Sequence, residues 1–149
     1  PFDYSGDGFS NEVDAAIAEI DGPVIAFQIA MPQTGQPPGK ITKSVRVGMK
    51  VQKTGRSTGH SWGKVIDTDF HAIVPYADPA NPGRQVRVLF RGQVLCTRFT
   101  DFGDSGALVL SSNGRVVGLH FAGGEEVSVF NRISRVFDLL RIELDNGDG

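Results

Sequence analysis

The sequence predicts one all-β domain, because glycine and proline divide the chain into short apolar runs in which β-branched residues dominate. The 149 residues contain 19 glycines and eight prolines. With 40% apolar and 21% charged residues, the chain has the composition of a soluble globular protein. A chain of this length can bury enough surface to form a core without disulfide or metal staples.

The apolar runs predict seven strands, which we place at residues 24–29, 49–53, 64–74, 86–99, 107–110, 115–121 and 127–130. Proline and glycine cluster at residues 33–39 and 77–83, so these two stretches are expected to be loops. The Asn113-Gly114 pair lies between two apolar runs and supplies the positive-φ residues of a tight hairpin turn.

A short helix is expected near the C-terminus, because apolar residues recur at helical spacing from Ile133 to Leu140. Asn131 or Ser134 is expected to cap its start. Residues 145–149 are acidic and lack apolar side chains, so we expect a disordered tail.

Charge and composition argue against several classes of function. The formal net charge is −2 and the basic residues are scattered, so a nucleic-acid partner is not expected. No apolar run approaches the roughly 20 residues of a membrane span, and the chain starts without a signal-like segment. Cysteine and histidine lack zinc-site spacing, and no glycine-rich loop precedes a phosphate-binding lysine. We therefore expect no membrane association, no metal and no cofactor.

The most informative stretch is Gly103-Asp104-Ser105-Gly106, which leads into an apolar run and the Asn-Gly hairpin. A serine hydroxyl is a poor nucleophile unless a base removes its proton and amide donors hold the oxyanion. The flanking glycines allow the backbone to aim the amides of Gly103 and Ser105 at one point. Taken alone, the four residues fit a polar turn equally well, but the strand and hairpin that follow favour a nucleophile.

With this context the chain resembles the trypsin-like, chymotrypsin-fold serine peptidases, in which Gly-Asp-Ser-Gly precedes a hairpin and a substrate-binding strand that ends in Gly. Residues 51–59 are similar to the strand and turn that open the second barrel of bacterial members. The resemblance implies an antiparallel chymotrypsin-type β-barrel and peptide-bond hydrolysis through an acyl-enzyme. It also implies that Ser105 is the nucleophile and that the amides of Gly103 and Ser105 form the oxyanion hole.

Residues 13–18 are similar to the segment that carries the triad aspartate of this family, which would make Asp14 that residue. The separation of Asp14 from Ser105 along the chain is also typical of the family's aspartate and nucleophile. In that role Asp14 would accept the N–H of the catalytic imidazole and fix its tautomer. The local pattern alone favours an amphipathic helix capped by Ser10, with Asp14 as a surface charge.

The catalytic histidine is missing from its expected place, because His60, His71 and His120 all follow Asp14 whereas the family order is His, Asp, Ser. The resemblance implies that residues 1–30 end the first barrel and that residues 31–144 form the second. The histidine would then lie on a first-barrel segment upstream of Pro1, and we expect that segment to bind tightly, through residues 24–29 among others. A first residue that is not Met suggests a processed product or a piece of a longer chain.

Other candidate residues carry weaker signals. His71 would fit a subtilisin-like Asp, His, Ser order, but the sequence around Ser105 argues against that fold. His60 lies in a predicted glycine-flanked turn beside Trp62 and is expected at the surface or beside the substrate cleft. Cys96 lies in an apolar strand without a glycine turn, as an inert buried thiol would. The single cysteine excludes an internal disulfide and favours a cytoplasmic location, with secretion as the alternative.

The resemblance also assigns a specificity pocket, with Phe99 and Thr100 on one wall and His120, Phe121, Ala122 and Gly123 on the other. Thr100 and His120 occupy the places of a Thr and His pair in glutamate- and glutamine-specific members. A hydroxyl and an imidazole N–H can both donate to a side-chain carboxylate or amide oxygen. We therefore expect cleavage after Glu or Gln, with the substrate backbone paired along residues 121–123. The alternatives are that His120 is a core histidine and that Asp101 confers a preference for basic residues.

Two functions stay open at this point. The first is the nucleophile-bearing part of a serine endopeptidase that acts on a peptide or protein. The second is a non-catalytic interaction module that uses the same cleft. The set of Asp14, Gly103 and Ser105 favours the first, because a binding module has no physical need for an oxyanion turn.

Overall fold

The computed structural model describes residues 11–18, 21 and 39–143. The predicted strand at 24–29, most of the predicted loop at 33–39 and the predicted tail at 145–149 lie outside these residues. The strands are β1 (Gly39–Ile41), β2 (Lys50–Gly55), β3 (Gly59–Ala77), β4 (Gln85–Thr97), β5 (Leu108–Ser111), β6 (Arg115–Gly123) and β7 (Val127–Arg132), and the helix is α1 (Ile133–Leu140).

Six of the strands close into an antiparallel barrel. Their order is β6-β5-β2-β3-β4-β7, and β7 pairs again with β6 to complete the ring. Closure leaves no free edge between the first and last strands of the ring, which removes a site of unwanted pairing. The predicted all-β class and the short C-terminal helix are thus confirmed. Strand β1 joins β6 in parallel and was not expected from the sequence.

Alternating apolar residues of the strands fill the barrel interior. One buried cluster contains Val51, Val65, Val94, Cys96, Phe99, Val109, Val117 and Phe130. Burial raises the pKa of the Cys96 thiol to about 12, so the thiolate is scarce at neutral pH. A second buried cluster, which includes Phe90 and Phe121, joins residues of β3 and β4 to residues of β6 and β7.

Strand β3 is longer than the sequence predicted, because both of its ends continue past residues 64–74. At the start, Gly59 to Gly63 pair with β2, where glycine and polar residues had suggested a turn. Gly63 permits this strand to lie against the core, since a Cβ there would meet the Phe99 ring at 2.6 Å. At the far end, Ala72 to Ala77 pair with Gln85 to Phe90, and we call this two-stranded extension the β3–β4 arm.

The hairpin between β5 and β6 has a different turn from the one expected. Only Gly114 adopts positive φ (+77°), whereas the sequence suggested that both Asn113 and Gly114 would. The Gly114 N–H donates to the Ser111 carbonyl at 3.0 Å, and the Arg115 N–H donates to Ser111 Oγ at 3.0 Å. The Ser111 side chain therefore supports a wider turn that needs one left-handed residue.

The predicted cap of α1 is wrong. Arg132 occupies the N-cap position and makes no side-chain capping bond. The Asn131 side chain is used elsewhere, since its Oδ1 accepts the Asp14 N–H at 3.1 Å and its Nδ2 donates to Gln93 Oε1 at 2.7 Å. Long-range contacts thus override the local capping preference of this asparagine.

Candidate functional site

The Gly103-Asp104-Ser105-Gly106 stretch forms two consecutive tight turns between β4 and β5. The Asp104 N–H donates to the Asp101 carbonyl at 3.1 Å, and the Ala107 N–H donates to the Asp104 carbonyl at 3.0 Å. Gly103 (φ +92°) and Gly106 (φ +87°) both lie in the left-handed region, which side chains disfavour. The Ser105 side chain between them is exposed to solvent.

These turns leave two backbone donors unused. The Gly106 N–H donates to the His120 carbonyl at 2.8 Å, and the His120 N–H donates to the Ala107 carbonyl at 2.9 Å, which fixes the turns against β6. Within the part of the chain that the structure describes, the amides of Gly103 and Ser105 donate no hydrogen bond. Unused backbone amides beside an exposed hydroxyl can bind an anionic oxygen.

The Asp104 carboxylate holds the turns from inside the protein. It is buried beside Lys53, whose Nζ lies 3.1 Å from Asp104 Oδ2, and both side chains are fully buried. Oδ1 accepts the Ser57 N–H at 2.8 Å and the Thr58 N–H at 3.2 Å. Oδ2 accepts the Thr58 hydroxyl at 2.6 Å and the Asp101 N–H at 3.1 Å.

Two opposing effects act on this carboxyl group. Burial alone would raise the pKa of Asp104, but hydrogen bonds from Thr58, Asp101, Ser57 and Lys53 outweigh burial and hold the pKa well below its usual range. Asp104 is therefore ionised at neutral pH and fully neutralised by its donors.

Lys53 was not among the predicted residues, although the strand pattern contains a signal for it. Val51 and Lys53 are both buried on β2, whereas Gln52 between them is partly exposed. Alternation along a strand thus directs a lysine into the core, and a buried lysine requires a carboxylate partner.

The segment around Asp14 lies in an extended path along the arm rather than in a helix. No helix is present in residues 11–18, so the amphipathic helix that the local pattern favoured does not form there. The Asn11 N–H donates to the Leu89 carbonyl at 3.0 Å, and the Arg91 N–H donates to the Asn11 carbonyl at 2.9 Å. Asn11 thus bridges Phe90 in parallel, and β4 positions the residues that follow.

Asp14 is held by a polar network that reaches β7. Its N–H donates to Asn131 Oδ1, and its Oδ2 accepts the Tyr76 hydroxyl. The Gln93 amide, which accepts from Asn131, donates from Nε2 to the Glu12 carbonyl at 2.9 Å. Asp14 is therefore held at two points, its backbone N–H and one oxygen of its carboxylate.

The structure connects Asp14 and Ser105 to consecutive residues of β6. Asn131, which holds Asp14, faces Leu119 across the β6–β7 pair. Gly106, next to Ser105, is bonded to His120. The Asp14 segment and the turn at residues 103–106 are thus attached to neighbouring positions of one strand, the first from the β7 side and the second from the β5 side, although they are far apart in sequence.

None of the histidines hydrogen-bonds to Asp14 or Ser105 within the described residues. His60 lies on β3 rather than in a turn, with Nε2 2.9 Å from Gln52 Oε1 and its ring against Trp62. His71 is exposed, also on β3. The described residues thus supply a candidate nucleophile, oxyanion donors and a carboxylate, but no imidazole between them.

The side chains predicted to form the specificity pocket are largely buried. Thr100 Oγ1 and Ser128 Oγ lie 2.6 Å apart, and Ser128 Oγ also accepts the Phe99 N–H at 3.1 Å. Ser128 faces Gly123 across the β6–β7 pair, and a Cβ on Gly123 would lie 3.7 Å from Thr100 Oγ1. Ser128 is an addition to the predicted pocket, since a serine in an apolar strand gave no functional signal.

His120 is 4% exposed, and its Nδ1 lies 3.0 Å from the Val129 carbonyl. A carbonyl oxygen only accepts, so Nδ1 carries the proton. Burial lowers the pKa of His120 below its ordinary 6.5 and Lys53 lowers it further, although the Val129 bond and the Asp104 charge oppose the change. The neutral ring therefore presents Nε2 as an acceptor rather than the N–H donor that we expected. A bond to a backbone carbonyl, such as this one to Val129, is what we would expect if His120 were a core histidine rather than a pocket residue.

The unbonded Nε2 atom of His120 keeps contact with solvent. No buried side-chain nitrogen or oxygen of the described residues lacks a hydrogen-bond partner. Nε2 makes no hydrogen bond in this part of the chain, so it is not among the buried atoms. A ligand on that side of the ring could therefore reach it.

Neither a metal-binding cluster nor a membrane-spanning helix occurs among the described residues. They contain no group of three or more His, Cys, Asp or Glu side chains that could hold a metal ion. Their one helix, α1, is too short to cross a membrane.

The fold is similar to those of solved serine proteases. A chymotrypsin from Cellulomonas bogoriensis is 18% identical with a TM-score of 0.57, over 76% of this chain and 58% of that one. Protease A from Thermobifida fusca is 16% identical with a TM-score of 0.58, over 78% of this chain and 59% of that one. A glutamic acid-specific serine protease that utilises a histidine triad in substrate binding is 16% identical with a TM-score of 0.55, over 82% and 62%.

No protein-family profile and no curated protein sequence matches the chain. The chain spans 58% to 62% of the length of these three proteases, so the likeness covers part of each. The ring of β2 to β7 and the structural likeness agree with the chymotrypsin-type barrel that the sequence predicted. The chain therefore has the fold of the chymotrypsin-like serine proteases.

Proposed function

We propose that the chain is the nucleophile-bearing part of a trypsin-like serine endopeptidase. The observation that carries this proposal is the turn at residues 103–106, where an exposed serine lies beside two unused backbone amides. Two glycines at positive φ and a buried ion pair maintain that turn. Such features have a chemical use in acyl transfer, because the amides stabilise the negative charge that develops on the carbonyl oxygen.

In the proposed reaction Ser105 Oγ attacks the substrate carbonyl carbon while an imidazole takes the hydroxyl proton. The amides of Gly103 and Ser105 donate to the oxyanion of the tetrahedral intermediate. The imidazolium then protonates the leaving amine, the C–N bond breaks, and water later hydrolyses the acyl-enzyme by the reverse proton route. Asp14 accepts the imidazole N–H, and the histidine comes from a segment upstream of Pro1 that packs against this chain.

The test is labelling with a fluorophosphonate probe, which reacts with an activated serine. We expect Ser105 to be labelled when the chain is expressed together with the segment upstream of Pro1, and Ser105→Ala to remove the label. Ser112→Ala is the matched control, because Ser112 is exposed in the nearby β5–β6 hairpin and should not affect labelling. The proposal fails if Ser105 stays unlabelled in the longer protein.

The second candidate function is a non-catalytic interaction module. The observation in its favour is that none of the described imidazoles contacts Asp14 or Ser105. It predicts that the longer protein binds peptides without cleaving them and that Ser105→Ala leaves binding unchanged. The same labelling experiment therefore separates the two functions.

For specificity we propose cleavage after Glu or Gln, in a pocket formed by Thr100, Ser128 and His120. The Thr100 hydroxyl can donate to the oxygen of either side chain when Ser128 donates to Thr100. One of the similar structures belongs to a glutamic acid-specific protease, which supports the choice of ligand. Strand β5 pairs with β6 only as far as Leu119, so residues 121–123 offer an edge on which substrate backbone could add as a strand.

The choice between Glu and Gln should depend on pH. A neutral His120 presents Nε2 as an acceptor, which suits the amide N–H of Gln and repels the carboxylate of Glu. Its lowered pKa places protonation, which turns Nε2 into a donor, in the acidic range. We therefore expect the ratio of kcat/KM for Glu over Gln substrates to rise as pH falls from about 7.5 to 5.5, by up to about tenfold per unit, since binding of one proton is coupled to Glu recognition.

Matched peptides that differ only at this residue give the ratio, and the titration of the catalytic imidazole cancels because both substrates use it. His120→Asn should make the ratio independent of pH, whereas His60→Gln, which changes an exposed imidazole, should not. A ratio that does not vary with pH in the unaltered protein would contradict the proposed pocket. So would a dominant preference for Arg, Lys or large aromatic residues.

A further inference from the structure

Tyr76 contacts Asp14 from an element that lies outside the nucleophile turn and the specificity pocket. It belongs to the part of β3 that forms the β3–β4 arm, 62 residues along the chain from Asp14. Its hydroxyl donates to Asp14 Oδ2. The other oxygen, Oδ1, accepts no hydrogen bond from the residues that the structure describes.

The bond from Tyr76 is not needed to dock the Asp14 segment. The backbone bonds of Asn11 to β4 and the Asn131 bond to the Asp14 N–H already hold the main chain from Asn11 to Asp14. A backbone bond leaves the Asp14 side chain free to rotate about its own single bonds. The Tyr76 hydroxyl restricts this rotation, because it fixes one carboxylate oxygen and thereby the direction of the other.

The Tyr76 ring has its own support. It packs against Phe90 with ring centroids 6.1 Å apart at 45°, and Phe90 packs against Phe121 at 5.0 Å and 59°. Phe121 follows His120 on β6, the strand to which both Asp14 and Ser105 are connected. A row of three aromatic rings thus supports Tyr76 and links it to the core that packs against β6.

We propose that Tyr76 is a positioning residue that holds Asp14 Oδ2 so that Oδ1 faces the catalytic imidazole. The inference rests on the proposed peptidase function, in which Asp14 fixes the tautomer of that imidazole. Tyr76 is not one of the reacting groups, so its role in the reaction is to orient Asp14. In this role the β3–β4 arm contributes to catalysis, because it carries the Tyr76 hydroxyl.

Tyr76→Phe tests the proposal, because it removes the hydroxyl and keeps the ring. In the protein that includes the upstream segment, we expect kcat for a peptide substrate to fall about 10- to 100-fold, the range for loss of a hydrogen bond to a charged group. KM and the thermal midpoint should change little, since neither the pocket nor the ring packing is altered. Thr68→Val is the matched control, because it removes a β3 hydroxyl for which the structure shows no hydrogen bond.

A double-mutant cycle separates positioning from a structural role. If Tyr76 acts through Asp14, Tyr76→Phe should cause no further loss of kcat when Asp14→Ala is already present. An equal loss in both backgrounds, or an unchanged kcat in Tyr76→Phe alone, overturns the inference. If the unaltered longer protein is not labelled by fluorophosphonate, the peptidase function itself is wrong and this role falls with it. Labelling at the normal rate in both the unaltered protein and Tyr76→Phe refutes the Tyr76 role alone.

Discussion

Gly103→Ala is expected to lower kcat of the assembled peptidase by about 10²- to 10³-fold, the cost of losing one oxyanion donor. Gly103 has φ +92°, and a Cβ at this position would meet Ser57 Oγ. An alanine therefore drives the turn toward negative φ, and the amide of residue 103 no longer points at the oxyanion position. The measurement is steady-state hydrolysis of a peptide substrate, with the free energy of unfolding recorded in parallel.

Gly114→Ala is the control for backbone strain. Gly114 also has positive φ (+77°) but lies in the β5–β6 hairpin, away from the nucleophile turn. Gly114→Ala should lose about 1 to 2 kcal/mol of stability, the cost of an L-residue in the left-handed region. Gly103→Ala should lose at least as much, because its Cβ also meets Ser57 Oγ. Only Gly103→Ala should lose catalysis, and an unchanged kcat in that variant would show that this amide does not serve the reaction.

Lys53→Met is expected to lower the free energy of unfolding by about 3 to 5 kcal/mol, the typical cost of removing one partner of a buried ion pair. Asp104 would keep its carboxylate in the core without the cation that neutralises it. The side chain then has to take up a proton or draw water inward, and either change disturbs the turn that carries Ser105. Fluorophosphonate labelling should therefore fall together with stability.

Urea denaturation of the chain measures the loss, and Lys64→Met is the matched control. Lys64 lies on the adjacent strand β3 with its side chain in solvent, so its replacement should change stability by about 0.5 kcal/mol or less. Asp104→Asn combined with Lys53→Met should be more stable than Lys53→Met alone, because it removes the unpaired charge. If Lys53→Met proves as stable as Lys64→Met, the ion pair does not support the turn.

The sequence was sufficient for features that depend on local pattern. Short apolar runs rich in β-branched residues predicted six of the strands, and the helical spacing from Ile133 to Leu140 predicted α1. It was insufficient for β1, whose three residues are too short to show alternation and which pairs in parallel with a distant strand. The cap of α1 failed for a related reason, because Asn131 bonds to Asp14 and Gln93 instead of the helix.

The candidate site likewise has one part that the local sequence predicts and another part that depends on the fold. The turn at residues 103–106 could be predicted because its glycines, aspartate and serine are contiguous in sequence. Lys53 and Tyr76 reach this region from β2 and β3, so their contacts depend on how the barrel closes. A lysine and a tyrosine within strands are ordinary residues in a linear pattern, and only the fold shows which carboxylate each one meets.

The anchoring of Asp14 by Asn131 constrains the order in which the site can form during translation. The two residues are 117 positions apart, and β7, which carries Asn131, is the last strand of the barrel to be synthesised. Contacts of such long sequence separation form late, because most of the chain must be ordered before they can close. On the ribosome, Asp14 emerges before Asn131 and lacks this anchor until nearly all of the barrel has left the exit tunnel. If the chain is the proposed peptidase, its catalytic site cannot be completed during that time, and we expect activity only after synthesis of the barrel is finished.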